Sequence, residues 1–334
     1  MEQLVTLVII LHNRHQNLDR LLKYYLDVKM AIVIADSSAM PHHFAHIHTN
    51  WQHFYTPGVS YTEKIEITLA RIQTPFVVLC ADDDFTVPES ILRCVEFLDK
   101  HDDYVAAQGN CLRYFNDTVG TGRIKFSSLY DIQPFVEQEA PLVRLEKMFN
   151  PYKSILYAVH RTDSLRRAFH RAGPVIRNLF LNEYLTAIVP SMAGKLKDFS
   201  FLYQVRQYAE DSDDKITDNL DTIIFNEKYR DEWKAFVSLC AENAAAATHL
   251  SEAVIEPQIK IRLSDFASHM MSARHIPLSL RKRIGSVVNR VPLLGPGLVS
   301  LNRKTENKKD LKKALRTGYD HRVLSAIRAV LQDG

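Results

Sequence analysis

The sequence predicts an α/β protein: a mostly parallel sheet flanked by helices over residues 1–215, then a helical, basic region over 216–334. Three observations carry this. Apolar, β-rich runs alternate with segments of helical period from Leu4 to Lys100, the pattern of strands joined by right-handed crossovers. One of these runs ends in three consecutive aspartates. After Asp211-Ser-Asp-Asp214 the composition changes, and from Thr222 onward strand signals are few.

The elements follow in order. Leu4–Leu11 is a continuous apolar run, as expected of a strand buried on both faces. His12-Asn13-Arg14-His15 is a polar loop. Asn17–Val28 carries Leu18, Leu21, Leu22, Tyr25 and Leu26 at helical spacing, with Asn17 as cap. Ala31–Ala35 is a second strand ending in Asp36, and His53–Tyr55 a short third one before the Pro57-Gly58 turn. Tyr61–Ile72 reads as a helix, Phe76–Ala81 as a strand, Pro88–Lys100 as a helix and Tyr104–Gly109 as a strand. Residues 110–150 show no clear period, with a loop expected around Asn116–Lys125. Ser154–His160 and Phe199–Val205 read as strands, and Thr162–Arg171 and Asn182–Ala193 as helices, the latter stopped by Gly194. Tyr229–Ala253 and Pro257–Met271 read as helices.

Composition sets the outer bounds. The 334 residues are 46% hydrophobic, as in a globular protein with a real core. No apolar run approaches the roughly 20 residues that span a bilayer, and no signal peptide is expected. Cys80, Cys94, Cys111 and Cys240 show no paired spacing, so reduced cysteines and a cytoplasmic setting are expected, with neither disulfides nor a zinc site. The net charge of +3 is unevenly placed. Arg274 to Arg316 holds 12 Lys/Arg against 2 Asp/Glu, a local +10 that leaves −7 on the rest.

The aspartates are the most informative feature. The strand Phe76–Ala81 delivers Asp82, Asp83 and Asp84 to its carboxyl end, where open α/β sheets bind ligands. Adjacent carboxylates repel one another unless a positive charge lies among them. Mg²⁺ or Mn²⁺ carrying a nucleotide diphosphate suits them, because these ions take oxygen ligands from one or two carboxylates plus phosphates. A solvated acidic turn or a helix cap is the alternative.

In this order and spacing the motifs resemble the nucleotide-sugar glycosyltransferases of the GT-A (Rossmann-like) fold, in particular the large family 2 of inverting enzymes. Leu7-Val-Ile-Ile-Leu-His-Asn-Arg14 is similar to the family's opening strand and loop, and Ile32-Val-Ile-Ala-Asp-Ser-Ser38 to its second strand. Val77 to Pro88 resembles its metal-binding segment, with Ala81 standing where family members often carry the first aspartate. The resemblance covers residues 4–100 well and 150–207 loosely. It implies a metal on Asp82 and Asp84, with Asp83 as a competitor, and a nucleotide site lined by Asn13, Arg14, Asp36 and Ser38. Lys64, near the position of a family arginine, is a candidate phosphate ligand or else a solvated helix lysine.

The family's reaction also needs a base that takes the acceptor's proton. The resemblance places it at Glu183, in Leu179-Phe-Leu-Asn-Glu-Tyr-Leu185, at a helix start with Asn182 as an alternative cap. Arg206 is a candidate phosphate ligand or an ordinary ion pair. His160 or Arg161 would enter the acceptor cleft or serve structure. His42, His43, His46, His48 and His53 cluster without a zinc spacing, and Asp211–Asp214 reads as a solvated loop.

The implied function is a metal-dependent (Mn²⁺ or Mg²⁺) inverting sugar transfer from a nucleotide-diphosphate sugar to a glycan or lipid-linked acceptor, in surface polysaccharide or lipopolysaccharide assembly. The basic, apolar-rich segment 274–317 is a candidate contact with an anionic membrane surface, or a helix packed on the first domain. An oligomer contact in this region is also open. No nucleic-acid module frames its charges. Two rivals stand: a nucleotidyltransferase, disfavoured because Leu11–Gln16 has no glycine, and a non-catalytic glycan-binding or scaffold protein on the same fold.

Overall fold

A computed structural model describes residues 1–44, 48–116, 124–130, 136–207, 218–275 and 318–332. The basic segment beyond residue 275, Asp211–Asp214 and His46 lie outside the described residues, as does most of the loop expected around Asn116–Lys125.

Nine strands form one sheet in the order β3-β2-β1-β4-β8-β6-β9-β5, with β7 paired to β6. They are β1 (Val5–Leu11), β2 (Ala31–Asp36), β3 (Trp51–Tyr55), β4 (Phe76–Ala81), β5 (Phe85–Thr86), β6 (Tyr104–Asn116), β7 (Ile124–Tyr130), β8 (Val159–Arg161) and β9 (Lys195–Gln207). The first four strands in that order are all parallel. Every residue of β1 is buried, and its side chains alternate between two cores. Val5, Leu7, Ile9 and Leu11 face α1 (His15–Tyr24) and α3 (Pro88–Lys100). Val8 and Ile10 face α2 (Tyr61–Arg71), α5 (Thr162–Phe169) and α6 (Leu179–Ala193). This two-sided burial is why the strand reads as an unbroken apolar run.

Beyond β4 the sheet is mixed. β6 and β9 are parallel, but β8, β5 and β7 pair antiparallel. The expected parallel character therefore holds for β1 to β4, while half of the strand pairs are antiparallel. For β7, which begins eight residues after β6 ends, the reason is connection length. A parallel partner would need a crossover of a dozen or more residues. β5 begins four residues after β4 ends, across the tight turn closed by Asp84 N–H to the Ala81 carbonyl at 3.2 Å. It lies on β9 at the far end of the strand order, so the sheet curls back upon its own tip.

Several boundaries differ from the sequence expectation. α1 stops at Tyr24 rather than Val28. β8 keeps only Val159–Arg161, because Ala158 N–H turns back to the Ile155 carbonyl. β6 extends to Asn116, through a register shift around Gly109 where a Cβ would lie 2.5 Å from the Phe201 carbonyl oxygen. A short helix, α4 (Pro141–Met148), occupies the stretch without a clear period. After α7 (Leu220–Phe225), α8 (Arg230–Ala245) and α9 (Glu252–His275) replace the two helices expected there. Pro257 falls inside α9 rather than opening it. Ile223, Phe236, Val237, Ile255 and Ile259 join the core that holds α5 and α6. The final helix, α10 (Gly318–Gln332), puts Val323, Leu324 and Ile327 into the other core, beside α1. Among the described residues no helix is long and apolar enough to cross a membrane.

Candidate active site

Parallel pairing brings three strand ends together: Leu11 lies opposite Asp36, and Ile10 opposite Ala81. The loops that follow are laced by their own polar groups. Asn13 takes a left-handed conformation (φ 58°), which asparagine tolerates better than most residues. Its N–H donates to Ser38 Oγ at 2.8 Å, and its Oδ1 accepts from Ala39 N–H at 2.9 Å. Asp36 is fully buried and accepts from Ser38 N–H (2.8 Å) and from the imidazole of His53 (3.0 Å). Burial alone would raise its pKa, but these hydrogen bonds and one from His42 N–H hold it down at about 2.

Lys64 lies beneath these loops, 1% exposed, so it is not a solvated helix lysine. Its amine donates to the Leu11 carbonyl at 2.6 Å and to Ser37 Oγ at 2.9 Å. Those bonds tie it to the end of β1 and to the Ser37 side chain. Burial lowers its pKa to about 8, against the pull of Asp36 and Asp82. Asn13, Asp36, Ser38 and Lys64 thus form the scaffold of the strand-end loops.

The triplet splits into two environments. Asp82 and Asp83 face Arg14, at the start of α1. Arg14 Nε donates to Asp82 Oδ2 at 3.2 Å and Nη1 to Asp83 Oδ2 at 2.9 Å, while Nη2 lies against Asp82 Oδ1. That Oδ1 is buried and receives no well-formed hydrogen bond. Asp84 is held from the other side. Its Oδ1 accepts from Gln207 N–H at 3.0 Å, and its Oδ2 from Arg206 Nε at 2.9 Å and Gln204 Nε2 at 3.4 Å. Burial raises Asp82 to about 7 despite Arg14, and it also drives Asp84 upward against Arg206.

Glu183 lies in α6, capped by Asn178, whose Oδ1 accepts from Phe180 N–H at 2.9 Å. The helix therefore starts three residues before the expected point, and Asn182 is a buried interior residue rather than a cap. Glu183 Oε1 accepts from Tyr152 Oη at 2.8 Å. Tyr61, Tyr157 and Arg206 interact with one another and with groups of both centres. Burial raises the Tyr61 phenol; a hydrogen bond with Tyr157 opposes this, and the charges of Glu183, Arg206 and Asp82 all reach it. Arg206 sits 5.1 Å from the centre of the Tyr157 ring. The charges of both carboxylate centres therefore act on one tyrosine, Tyr61.

Other candidates lie elsewhere. His160 is fully buried, with Nε2 on the Ile155 carbonyl at 2.7 Å, and burial depresses it to about 4. Arg161 donates to the Tyr104 and Leu98 carbonyls, which removes both residues from the acceptor cleft. His42 pairs with Asp19, His53 with Asp36, and His48 packs on Trp51. Among the described residues no group of three or more His, Cys, Asp or Glu side chains is arranged around a metal. Any cation here would rest on two carboxylates and the ligand's own oxygens. Asp82 and Asp83, whose counter-ion Arg14 is half-exposed, fit that role, whereas Asp84 is engaged by Arg206 and by the backbone of β9. Tyr61 and Tyr152 carried no signal in the sequence, since a tyrosine in a helix or loop is ordinary.

No family model matches the chain, and no curated protein matches it. Among solved structures it is similar to S. aureus TarS residues 1–349 in complex with UDP-GlcNAc, at 12% identity and TM-score 0.49, covering 98% of this chain and 90% of that one. It is similar to a longer S. aureus TarS structure at 13% identity and TM-score 0.44, covering 98% of this chain and 55% of that one. It is also similar to glucosyl-3-phosphoglycerate synthase from Mycobacterium tuberculosis, in complex with Mn²⁺, UDP-glucose and phosphoglyceric acid, at 11% identity and TM-score 0.39, covering 71% of this chain and 80% of that one.

Proposed function

We propose that this chain is a metal-dependent, inverting glycosyltransferase that moves a sugar from a nucleoside-diphosphate sugar to a hydroxyl of a glycan or lipid-linked acceptor. The observation that carries this reading is the acidic triplet at the carboxyl ends of β1, β2 and β4, with Glu183 near enough that its charge and that of Asp82 both act on Tyr61. The sequence resemblance to family 2 enzymes agrees with it.

Asp82 and Asp83 would hold Mg²⁺ or Mn²⁺, and Asp84 would fix the turn that presents them. The bound ion supplies charge neutralisation for the departing diphosphate. Glu183, held by Tyr152, would accept the proton of the attacking hydroxyl. The new bond forms between the acceptor oxygen and the anomeric carbon as the bond from that carbon to the diphosphate oxygen breaks. The electron pair leaves with the diphosphate. Attack from the face opposite the leaving group inverts the centre.

The test is release of nucleoside diphosphate from a panel of nucleotide sugars with Mn²⁺, beginning with UDP-GlcNAc and UDP-glucose. Thermal stabilisation is read alongside, since a ligand that binds only the native state raises its melting point. Slow release that depends on Mn²⁺ is expected. A panel with neither release nor stabilisation would sink the proposal. A second reading, a non-catalytic glycan binder, draws on Ala81 and on the full engagement of Asp84. It would show stabilisation by a glycan with no release from any donor.

A further inference from the structure

The triplet's two environments differ in how tightly each counter-ion is held. Arg206 belongs to β9; it donates to Asp84 at 2.9 Å and lies over the Tyr157 ring, with Gln207 N–H and Gln204 completing the set. Arg14 is different. Its side chain is 46% exposed; Nε and Nη2 face the two oxygens of Asp82, and Nη1 donates to Asp83. One half-exposed arginine thus bridges two carboxylates. Asp82 itself is 1% exposed, so a counter-charge is needed whenever it is ionised.

We propose that Arg14 is an exchangeable counter-ion: it holds the Asp82–Asp83 pair while no metal is bound, and a divalent cation takes its place and frees it for the donor's diphosphate. This rests on the transferase reading and adds to it an order among ligands. The charges support the exchange. Two carboxylates and one guanidinium leave a single net negative charge. A dication together with the doubly negative diphosphate of a nucleotide sugar leaves the same. Either ligand alone shifts that balance. Cation and diphosphate therefore favour each other's binding, and Arg14 carries the coupling.

The measurement is Mn²⁺ binding, read from the free-ion electron paramagnetic resonance signal at pH 8, with and without UDP-glucose or UDP-GlcNAc, and corrected for the Mn²⁺ each nucleotide sugar binds without protein. The wild-type chain is compared with Arg14→Gln and Arg14→Lys, each first shown to be folded at the assay temperature. With the competing guanidinium removed, Arg14→Gln should bind Mn²⁺ alone about tenfold more tightly. The tightening of Mn²⁺ by the diphosphate should shrink severalfold in that variant, and Arg14→Lys should fall between. Asp82→Asn should weaken Mn²⁺ binding in either background. If Arg14→Gln binds Mn²⁺ no more tightly than wild type, or the diphosphate helps both equally, the exchange is wrong and the transferase reading stands. If no chain holds Mn²⁺ with or without nucleotide, the metal-dependent reading itself falls and takes the exchange with it.

Discussion

The sheet has two halves, and each holds one end of the same acidic triplet. The parallel half, β3-β2-β1-β4, ends in loops that lace to one another through Asn13, Ser38, Asp36 and Lys64, and it offers Asp82 a half-exposed arginine. The mixed half, β8-β6-β9-β5, takes Asp84 into β9 and engages both of its oxygens. Two aspartates two residues apart thus do opposite work. Asp84 ties the curled sheet to its own tip. Asp82 is buried without full compensation, the kind of strain that persists where a ligand is expected. Residue type alone would not separate them; their hydrogen-bond partners do.

The largest expected effect tests whether the mixed half, which carries α6, contributes to chemistry at all. Glu183→Gln should lower turnover by about 10²- to 10⁴-fold, the usual contribution of a general base. Melting temperature and donor binding should stay as in wild type. Normal turnover in this variant would leave the two halves without a shared reaction.

The next effect separates the aspartates by sign. Asp84→Asn sets an amide donor against either Gln207 N–H or Arg206 Nε–H, and should cost about 2–3 kcal/mol in denaturant unfolding. Asp82→Asn should do the reverse at pH 8, raising stability by about 2 kcal/mol. Burial lifts the folded Asp82 carboxyl to about 7, above its unfolded value of about 4. A group raised in this way contributes stability below its unfolded pKa and loses it as pH rises through its folded one. The gain from Asp82→Asn should therefore be absent near pH 4 and complete at pH 8. Equal losses from both variants at pH 8 would erase the contrast.

Legibility in the sequence follows the same division. β1, β2 and β4 are readable because strands buried on both faces leave no polar interruption, and α2 and α3 because only one face of each is apolar. β5, two residues long, carries no period to read, and the run read as a strand from Ser154 keeps only Val159–Arg161 as β8. Their pairing is decided by the turn at residues 81–84 and by the length of β9, both set by tertiary structure. The helix that carries Glu183 was legible, although its cap lies at Asn178 and not at Asn182. Lys64 was misplaced because a buried lysine has the same helical period as a solvated one; only its contacts with Leu11 and Ser37 distinguish them.

Tyr152 left no trace in the sequence, and it gives the smallest and most specific effect. Its hydroxyl donates to Glu183 Oε1, while its ring stacks 5.5 Å from Phe149 and packs against Tyr184 and Phe266 of α9. Tyr152→Phe keeps the ring packing and removes one hydrogen bond, so stability should change by no more than about 1 kcal/mol. A hydrogen bond to a carboxylate favours its charged form, so losing it should make Glu183 more basic. The acid limb of the kcat/KM profile should then move upward, with a modest fall in turnover on its low side. A purely structural tyrosine would move the melting temperature and leave that limb where it was. A shifted limb with unchanged melting would tie the aromatic packing between α6 and α9 to the protonation of the base.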